Sequence, residues 1–381
     1  FLDQRNVERI DFLMFLGDNF YPSGVTGVDD KRFREQWAEA FLAHKKLHVP
    51  YKVVIGNHDM QRGNQVHQIN FSDDTRNTYG LWQHRGEGDP SAPAQNCYDF
   101  QCAASNQSRS GVALANFFVI DTCAAQYNCR RVEPKIEERF AREQEQLYAR
   151  MKDLDAQTAA AREMLSGSSV NDDTSSSSPT PTPPTAGTAL TAWSIVCGHH
   201  GMYTNGRGHH TEGLCLRSSE YSSPTSRGEI KTSNGLGLEE KLVAAGVDAY
   251  YCGHDHVAQC TREKGIDHIG TGNAIECGYY QGHAPSSVLI RPVDWLEDRH
   301  RGFTFNRIVV NDDGTSDWIC EFIEGRSSNV VQMVQRRKAH DGSVRIVKND
   351  LAATVAKAAK DKLPAPPAGI APPSPPLAMK R

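Results

Sequence analysis

Four short polar clusters in this sequence carry residue types that bind metal ions. They are GDNFY (17–21), GNHD (56–59), GHH (198–200) and GHDH (253–256), and a glycine opens each of them. Glycine lets the backbone turn sharply or approach another segment closely. The candidate metal ligands within the clusters are Asp18, Tyr21, Asn57, His199, His254 and His256.

The residue types indicate which ions could bind. A carboxylate has two oxygens, so Asp18 is the natural shared ligand of a two-metal site. Oxygen donors combined with imidazole favour iron, manganese or zinc over thiolate-preferring ions. Tyr21 favours ferric iron, because a phenol is protonated near neutral pH and needs a strongly acidic cation to displace its proton. His254 and His256 are alternate residues and could address two adjacent metals.

Two adjacent metals would suit phosphate ester hydrolysis. Cations roughly 3.5–4 Å apart can hold a phosphate, lower the pKa of a bound water and stabilise an in-line transition state. His58 follows Asn57 and would face the substrate, where it could protonate the leaving oxygen. His209 and His210, in NGRGHHTEG, are further candidates for that role.

The clusters follow apolar runs that predict buried strands. These runs are IDFLMFL (10–16), YKVVI (51–55), WSIVC (193–197) and VDAYYC (247–252), with NFFVID (116–121) as a fifth. Helical patterns at 29–44 and 235–246 alternate with them, which predicts an α/β layered sheet. Loops at the carboxyl ends of such strands meet in one crevice, so the four clusters are expected to converge.

The rest of the chain is expected to position the site or to lie outside the core. Residues 133–165 predict a long charged helix with one apolar stripe that packs on the sheet. One domain is expected over 1–340, interrupted by a disordered Ser/Thr/Pro insertion at 166–187. A low-complexity Pro/Ala/Lys tail is expected at 341–381.

The composition argues against nucleic acid and membranes as partners. The 381 residues carry a formal charge of −4 with a pI near 6.4, so no basic excess favours nucleic acid. The sequence contains no apolar run of 18 or more residues, so stable membrane insertion is not predicted. We expect a monomer that acts on a small phosphate ester or a phosphoprotein.

Cysteine usage and glycosylation motifs favour an exported protein, either secreted or in a lysosomal or endomembrane lumen. The chain has ten cysteines and the sequons Asn70-x-Ser72 and Asn106-x-Ser108. It begins with Phe1 and shows no leader, which we expect to have been removed. Cys252 and Cys260 bracket the GHDH loop and could form a disulfide or remain inert thiols.

At these clusters the sequence resembles the purple acid phosphatases, specifically the small tartrate-resistant type among the calcineurin-like metallophosphoesterases. GDNFYPSGV, the DDKRF helix, the strand into GNHD and GVDAYYCGHDH occur in the family's order, over roughly residues 8–125 and 190–275. The resemblance implies a four-layer αββα sandwich of two mixed sheets flanked by helices.

The resemblance also implies the ligand sets. Asp18, Tyr21 and His256 would surround Fe(III). The second ion, Fe(II) or Zn(II) with Mn(II) as a further option, would be held by Asp18, Asn57, His199 and His254. Metal-bound hydroxide would attack phosphorus in line while His58 assists the leaving alcohol, giving an acid phosphatase for phosphate monoesters. A family disulfide suggests pairing Cys215 with Cys123 or Cys129.

One departure leaves other functions open. The family has an aspartate motif tens of residues before GDNFY, which supplies another ferric ligand, and this chain begins after that point. The sequence is therefore a fragment, or the protein lacks this ligand. The alternatives are a phosphodiesterase or nucleotide pyrophosphatase on the same core, and a non-catalytic metal- or phosphate-binding protein.

Overall fold

The architecture is taken from a computed structural model. It describes residues 7, 9–86, 94–103, 113–123, 142–143, 145–153, 156, 192–204, 213, 216–217, 220–224, 230–234, 237–271, 302–325, 328 and 330–351. The strands in these ranges are β1 Leu13–Leu16, β2 Tyr51–Val54, β3 Trp82–Gln83, β4 Tyr98–Ala103, β5 Ala113–Val119, β6 Trp193–Cys197, β7 Glu220–Pro224, β8 Ile230–Asn234, β9 Ala249–Cys252, β10 Ala258–Glu263, β11 Ile266–Thr271, β12 Gly302–Val310, β13 Ser316–Glu324, β14 Val330–Lys338 and β15 Val344–Leu351.

A three-stranded parallel sheet, in the order β1-β2-β3, carries the first two polar clusters. Its outer face is covered by a π-helical segment, Phe33–Ala38, which continues as the α-helix Glu39–Phe41, and by the α-helix Gln65–Phe71. Phe33 and Trp37 are buried there with Trp82 of β3. The helix predicted from the aromatic spacing of 29–44 is thus confirmed, with a wider first turn.

A six-stranded mixed sheet, in the order β10-β11-β9-β6-β5-β4, carries the other two clusters. The central strands β5, β6, β9 and β11 run parallel, and the edge strands β4 and β10 are antiparallel to their neighbours. Its outer face packs against the helix Leu238–Ala244 and the helical residues 145–153. Leu147 and Met151 are buried in this layer, as the apolar stripe of the charged segment predicts.

The two sheets face each other across a central core. Phe12, just before β1, makes edge-on contacts with Phe100 of β4 and Phe117 of β5, each at 5.0 Å between ring centroids. Val54 of β2 and Trp193 of β6 are buried in the same core. Helices, sheet, sheet and helices therefore follow one another, and the expected four-layer α/β sandwich is confirmed.

An antiparallel sheet, β12-β13-β14-β15, contributes Trp318 and Val334 to that core. Two buried ion pairs join it to the six-stranded sheet, Arg336 with Asp267 at 2.7 Å and Lys338 with Asp248 at 2.6 Å. Strand β15 extends the described sheet past residue 341, where the sequence places the start of the tail. The expected insertion at 166–187 and residues 352–381 lie outside the described ranges.

Cys252 and Cys260, on either side of the GHDH loop, are not joined by a disulfide. Cys252 and Cys260 are both buried thiols, so the disulfide alternative for this pair is wrong. Cys129 and Cys215 lie outside the described residues, and with them the pairings proposed for Cys215. Asn70 is exposed near the end of its helix and Asn106 is not described, so glycosylation stays a prediction.

Three short helices, Lys45–Leu47, Gln61–Gly63 and Thr78–Gly80, lie between these elements. Over the described ranges, no helix combines the length and the apolar character needed to cross a bilayer.

Candidate metal centre

The ends of four strands bring the polar clusters into one place. Strands β1, β2, β6 and β9 end just before Asp18, Asn57, His199 and His254, respectively. The loops approach so closely that side chains would not fit at two of the glycines. A Cβ at Gly17 would lie 2.3 Å from His199 Nδ1, and one at Gly56 would lie 2.1 Å from the backbone nitrogen of Asp18.

Asp18 lies at the middle of the site and directs its two carboxylate oxygens to different groups. Its Oδ1 accepts a hydrogen bond from the backbone N–H of His58 at 2.8 Å and lies 3.3 Å from His199 Nε2. Its Oδ2 accepts a hydrogen bond from the Tyr21 hydroxyl at 3.1 Å. The carboxylate is 6% exposed. This is the geometry expected of a carboxylate shared by two cations.

The first group of donors joins Asp18 with Tyr21 and His256. The Tyr21 hydroxyl oxygen lies 3.0 Å from His256 Nε2. His256 adopts a positive φ of 51°. A carboxylate oxygen, a phenol oxygen and an imidazole nitrogen therefore lie close together, in the set that the family resemblance implies for the ferric ion.

The second group of donors joins Asp18 with Asn57, His199 and His254. His199 donates from Nδ1 to the carbonyl of Leu16 at 2.7 Å, which leaves the lone pair of Nε2 directed into the site. That Nε2 lies 2.9 Å from Asn57 Oδ1 and 3.1 Å from His254 Nδ1. These atoms are donors that suit a divalent ion.

The electrostatics favour a charged carboxylate between these groups. Burial opposes ionisation of Asp18, but His199 and the hydrogen bond from the His58 amide together lower its pKa well below the usual value. For His199, burial acts to lower the pKa, and the adjacent Asp18 outweighs it so that the pKa is raised. Asp18 is thus an anion at neutral pH, and its buried charge favours a cation in the site.

Asp59 is a buried carboxylate to which the sequence analysis assigned no role. It accepts hydrogen bonds from the backbone N–H groups of Asn19 at 3.1 Å and Gly56 at 3.0 Å, and from Gln68 Nε2 at 2.7 Å. Burial, with a contribution from the charge of Asp18, raises its pKa to about 6. Asp59 therefore ties the GDNFY loop to the GNHD loop. The sequence could have indicated this role, because Asp59 belongs to GNHD and lies two residues after the candidate ligand Asn57.

A second missed residue, Thr122, comes from the end of a fifth strand, β5. Its hydroxyl oxygen lies 3.1 Å from the backbone nitrogen of His199 and 3.0 Å from that of His200. His200 is 1% exposed, and one ring nitrogen from each of His199, His200 and His254 lies within 4.8 Å of the others. No ligand-type cluster follows NFFVID in the sequence, so no signal marked this strand end.

His58 lies beside the centre and does not point into either donor group. Its Nδ1 donates to the carbonyl of Pro22 at 2.6 Å, and its ring centroid lies 4.5 Å from that of Tyr21. The ring is half-buried, at the open side of the Tyr21 loop. His209 and His210 lie outside the described residues, so their assignment stays a prediction.

The residues present fit the pair of metals that the family resemblance implies. Each of the two donor groups contains oxygen and imidazole ligands separated by about the distance between ligands of one ion, and both groups include Asp18. The assignment of individual ligands stays a prediction.

Comparisons with known proteins agree with this geometry. The calcineurin-like phosphoesterase family matches residues 1–123. The chain is 27% identical over 305 residues to tartrate-resistant acid phosphatase type 5 of Rattus norvegicus, covering 78% of this chain and 72% of the relative. The same phosphatase of Homo sapiens is 28% identical over 304 residues, with the same coverage.

The fold has a counterpart among solved structures. GAP50, the anchor in the inner membrane complex of Plasmodium, superposes with a TM-score of 0.55 and 18% identity, covering 92% of this chain and 81% of that chain. At this identity the likeness concerns the fold alone. Residues 1–123 are thus similar to the calcineurin-like phosphoesterases, and the chain as a whole is similar to the tartrate-resistant acid phosphatases.

Proposed function

We propose that this protein is an acid phosphatase that hydrolyses phosphate monoesters at a binuclear centre of Fe(III) with Fe(II), Zn(II) or Mn(II). The observation that carries the proposal is the placement of Asp18, whose two oxygens lie within 3.3 Å of two separate groups of donors. The family match over residues 1–123 supports phosphoester hydrolysis, and the geometry supports two metals.

When bound, the metals supply charge that holds the phosphate and activates water. The protein's own residues do the rest. Asp18, Tyr21 and His256 form one pocket of donors, and Asn57, His199 and His254 form the other, with Asp59 keeping the two loops in register. The site is thus assembled before substrate arrives, and little rearrangement is needed.

His58 is placed to donate a proton to the leaving oxygen. Because Nδ1 is engaged with the Pro22 carbonyl, the other ring nitrogen is the one that can reach a substrate. That nitrogen is the one that would pass a proton to the leaving oxygen. We propose small phosphate esters or phosphoproteins as substrates.

The substrate class is tested by reconstituting the protein with iron and zinc and comparing p-nitrophenyl phosphate with bis(p-nitrophenyl) phosphate at pH 5. The proposal predicts faster hydrolysis of the monoester. Preference for the bis-ester would indicate the phosphodiesterase alternative. Absence of hydrolysis in protein that has bound both metals would indicate a non-catalytic binding protein.

The role of His58 is tested by His58→Gln, with His67→Gln, on the nearby helix Gln65–Phe71, as the matched control. We expect kcat on the monoester to fall by about 10²–10⁴-fold in the first variant, the usual contribution of a general acid, with metal content unchanged. The control keeps wild-type kcat. Equal activity of the two variants would remove His58 from the reaction.

A further inference from the structure

The hydroxyl of Thr122 has more potential donors than its oxygen can accept. The backbone N–H groups of His199 and His200 both point at Oγ1, at 3.1 and 3.0 Å, and His200 Nδ1 lies 3.1 Å from the same atom. A hydroxyl oxygen has two lone pairs and one hydrogen. The two amides use both lone pairs, so the remaining contact must run from the Thr122 O–H to His200 Nδ1.

This count fixes the tautomer of His200. A nitrogen that accepts a hydrogen bond carries no proton, so the neutral ring holds its proton on Nε2. With Nδ1 engaged by Thr122 and Nε2 protonated, the ring has no lone pair to offer to a metal.

We propose that Thr122 is the positioning residue of the divalent-metal site and that it keeps His200 out of the ligand set. Three imidazoles meet within 4.8 Å, which by itself would suit a three-histidine site. The hydroxyl separates them into two ligands, His199 and His254, and one packing ring. His200 lies against His254 with 4.3 Å between ring centroids and takes no part in coordination.

The position of Thr122 makes this role rigid. It is fully buried, and the loop after β6 packs on it so tightly that a Cβ at Gly198 would lie 2.7 Å from its Cγ2. The carbonyl of His200 is held in turn by the Tyr250 hydroxyl at 2.7 Å. The backbone that carries His199 is therefore fixed from two strands, β5 and β9, before a metal binds.

Zinc affinity, measured by competition with a chromophoric chelator, tests the inference, which rests on the proposed second metal site. Thr122→Val keeps the shape but removes the hydroxyl and should weaken zinc binding by roughly 10–100-fold, whereas Thr122→Ser should restore it. His200→Phe should leave the dissociation constant unchanged, whereas His254→Phe should abolish binding. Wild-type affinity in Thr122→Val, or a loss in His200→Phe that matches His254→Phe, would overturn the inference.

A second measurement keeps the inference testable if Thr122→Val does not fold. Long-range 15N–1H correlation spectra report which imidazole nitrogens carry protons, and the His200 signals are identified by their loss in His200→Phe. We expect the Nε2–H tautomer in wild type, both without added metal and with zinc. A proton on Nδ1, or a zinc-shifted His200 nitrogen, would contradict us. If wild-type protein bound no zinc, the proposed function would be contradicted. The metal-free spectrum would still decide which nitrogen of His200 carries the proton.

Discussion

The side chain of Asp18 lies between two groups of donors because the backbone turns through positive φ at Gly17 and Asp18, 92° and 54°. Asp tolerates the left-handed region better than most residues, since its short side chain can bond locally. The turn carries the carboxylate from the end of β1 to a point between His199 and Tyr21. The shared ligand is thus a property of backbone shape as well as of residue type.

At the same scale, replacing Tyr21 should affect the ferric site and leave binding of the divalent ion unchanged. Tyr21→Phe keeps the ring beside His58 and removes the hydroxyl that meets Asp18 and His256. We expect the iron-loaded variant to lose its visible absorption band, because no phenolate remains to bind ferric iron, while zinc binding is retained. Absorption spectra and metal analysis measure both. Tyr79→Phe, at a side chain 77% exposed, is the control and should keep the band.

At the scale of elements, the loops after β1 and β2 can cross only because glycine, which has no side chain, lies at the crossing point. A methyl group at Gly56 would collide with both the amide nitrogen and the Oδ1 of Asp18, at 2.1 and 2.3 Å. Gly56→Ala should therefore reduce activity and metal content more than stability alone explains. Gly63→Ala is the matched control, because its φ is +76° but no atom lies within 4 Å of the added carbon among the described residues.

We expect the control to cost about 1 kcal/mol of folding free energy from the left-handed backbone and to retain full kcat. Urea unfolding and kcat on p-nitrophenyl phosphate measure the two effects separately. Wild-type metal content in Gly56→Ala would show that the loops have room that the structure does not indicate.

The sequence predicted the elements whose pattern is local. Strands β1, β2, β6 and β9 were found from apolar runs, and the helix Leu238–Ala244 ends where Gly246 follows with a positive φ. The alternation of strands and helices predicted an α/β layered sheet, and the family resemblance implied its four layers. Short strands such as β3, with two residues, and the hairpin β7-β8 carry no apolar run and were not predicted.

The residues that the sequence did not indicate, Asp59 and Thr122, act through hydrogen bonds between loops. Asp59 bonds to Gly56 and Gln68 nearby but also to Asn19, 40 positions away. Thr122 bonds to residues 77 and 78 positions away, so the chain near these residues does not show the distant partner. Ligand types are recognisable by chemistry, whereas a buried carboxylate or hydroxyl that braces a loop has the composition of an ordinary turn. Such roles need the assembled sheets.

At the scale of the whole molecule, two buried histidines oppose stability in acid. His84 and His268 are fully buried, neither ring nitrogen of either has a hydrogen-bond partner within the described part of the chain, and burial lowers the pKa of each to about 3. Their ordinary pKa is near 6.5, so between pH 6.5 and 3 the unfolded chain binds more protons. The free energy of unfolding therefore falls as the pH drops through this window.

This effect gives a prediction for His84→Phe. By pH 5 the wild-type protein should have lost about 2 kcal/mol through each of these histidines relative to pH 8, and the variant should lose one such contribution less. Urea unfolding at the two pH values measures the difference. His44→Gln, at an exposed position, should leave the pH dependence unchanged. If His84→Phe and wild type showed the same loss, His84 would not be held neutral in the fold.

The central claim is that one carboxylate joins two metal sites, and the metal content of Asp18→Asn tests it most directly. After reconstitution with iron and zinc, we expect wild type to hold two metal ions per chain by elemental analysis. Asn57→Ala should lose the zinc alone, whereas Asp18→Asn should lose affinity for both ions while circular dichroism shows the fold intact. An Asp18→Asn protein that retained either ion at full occupancy would contradict a shared ligand.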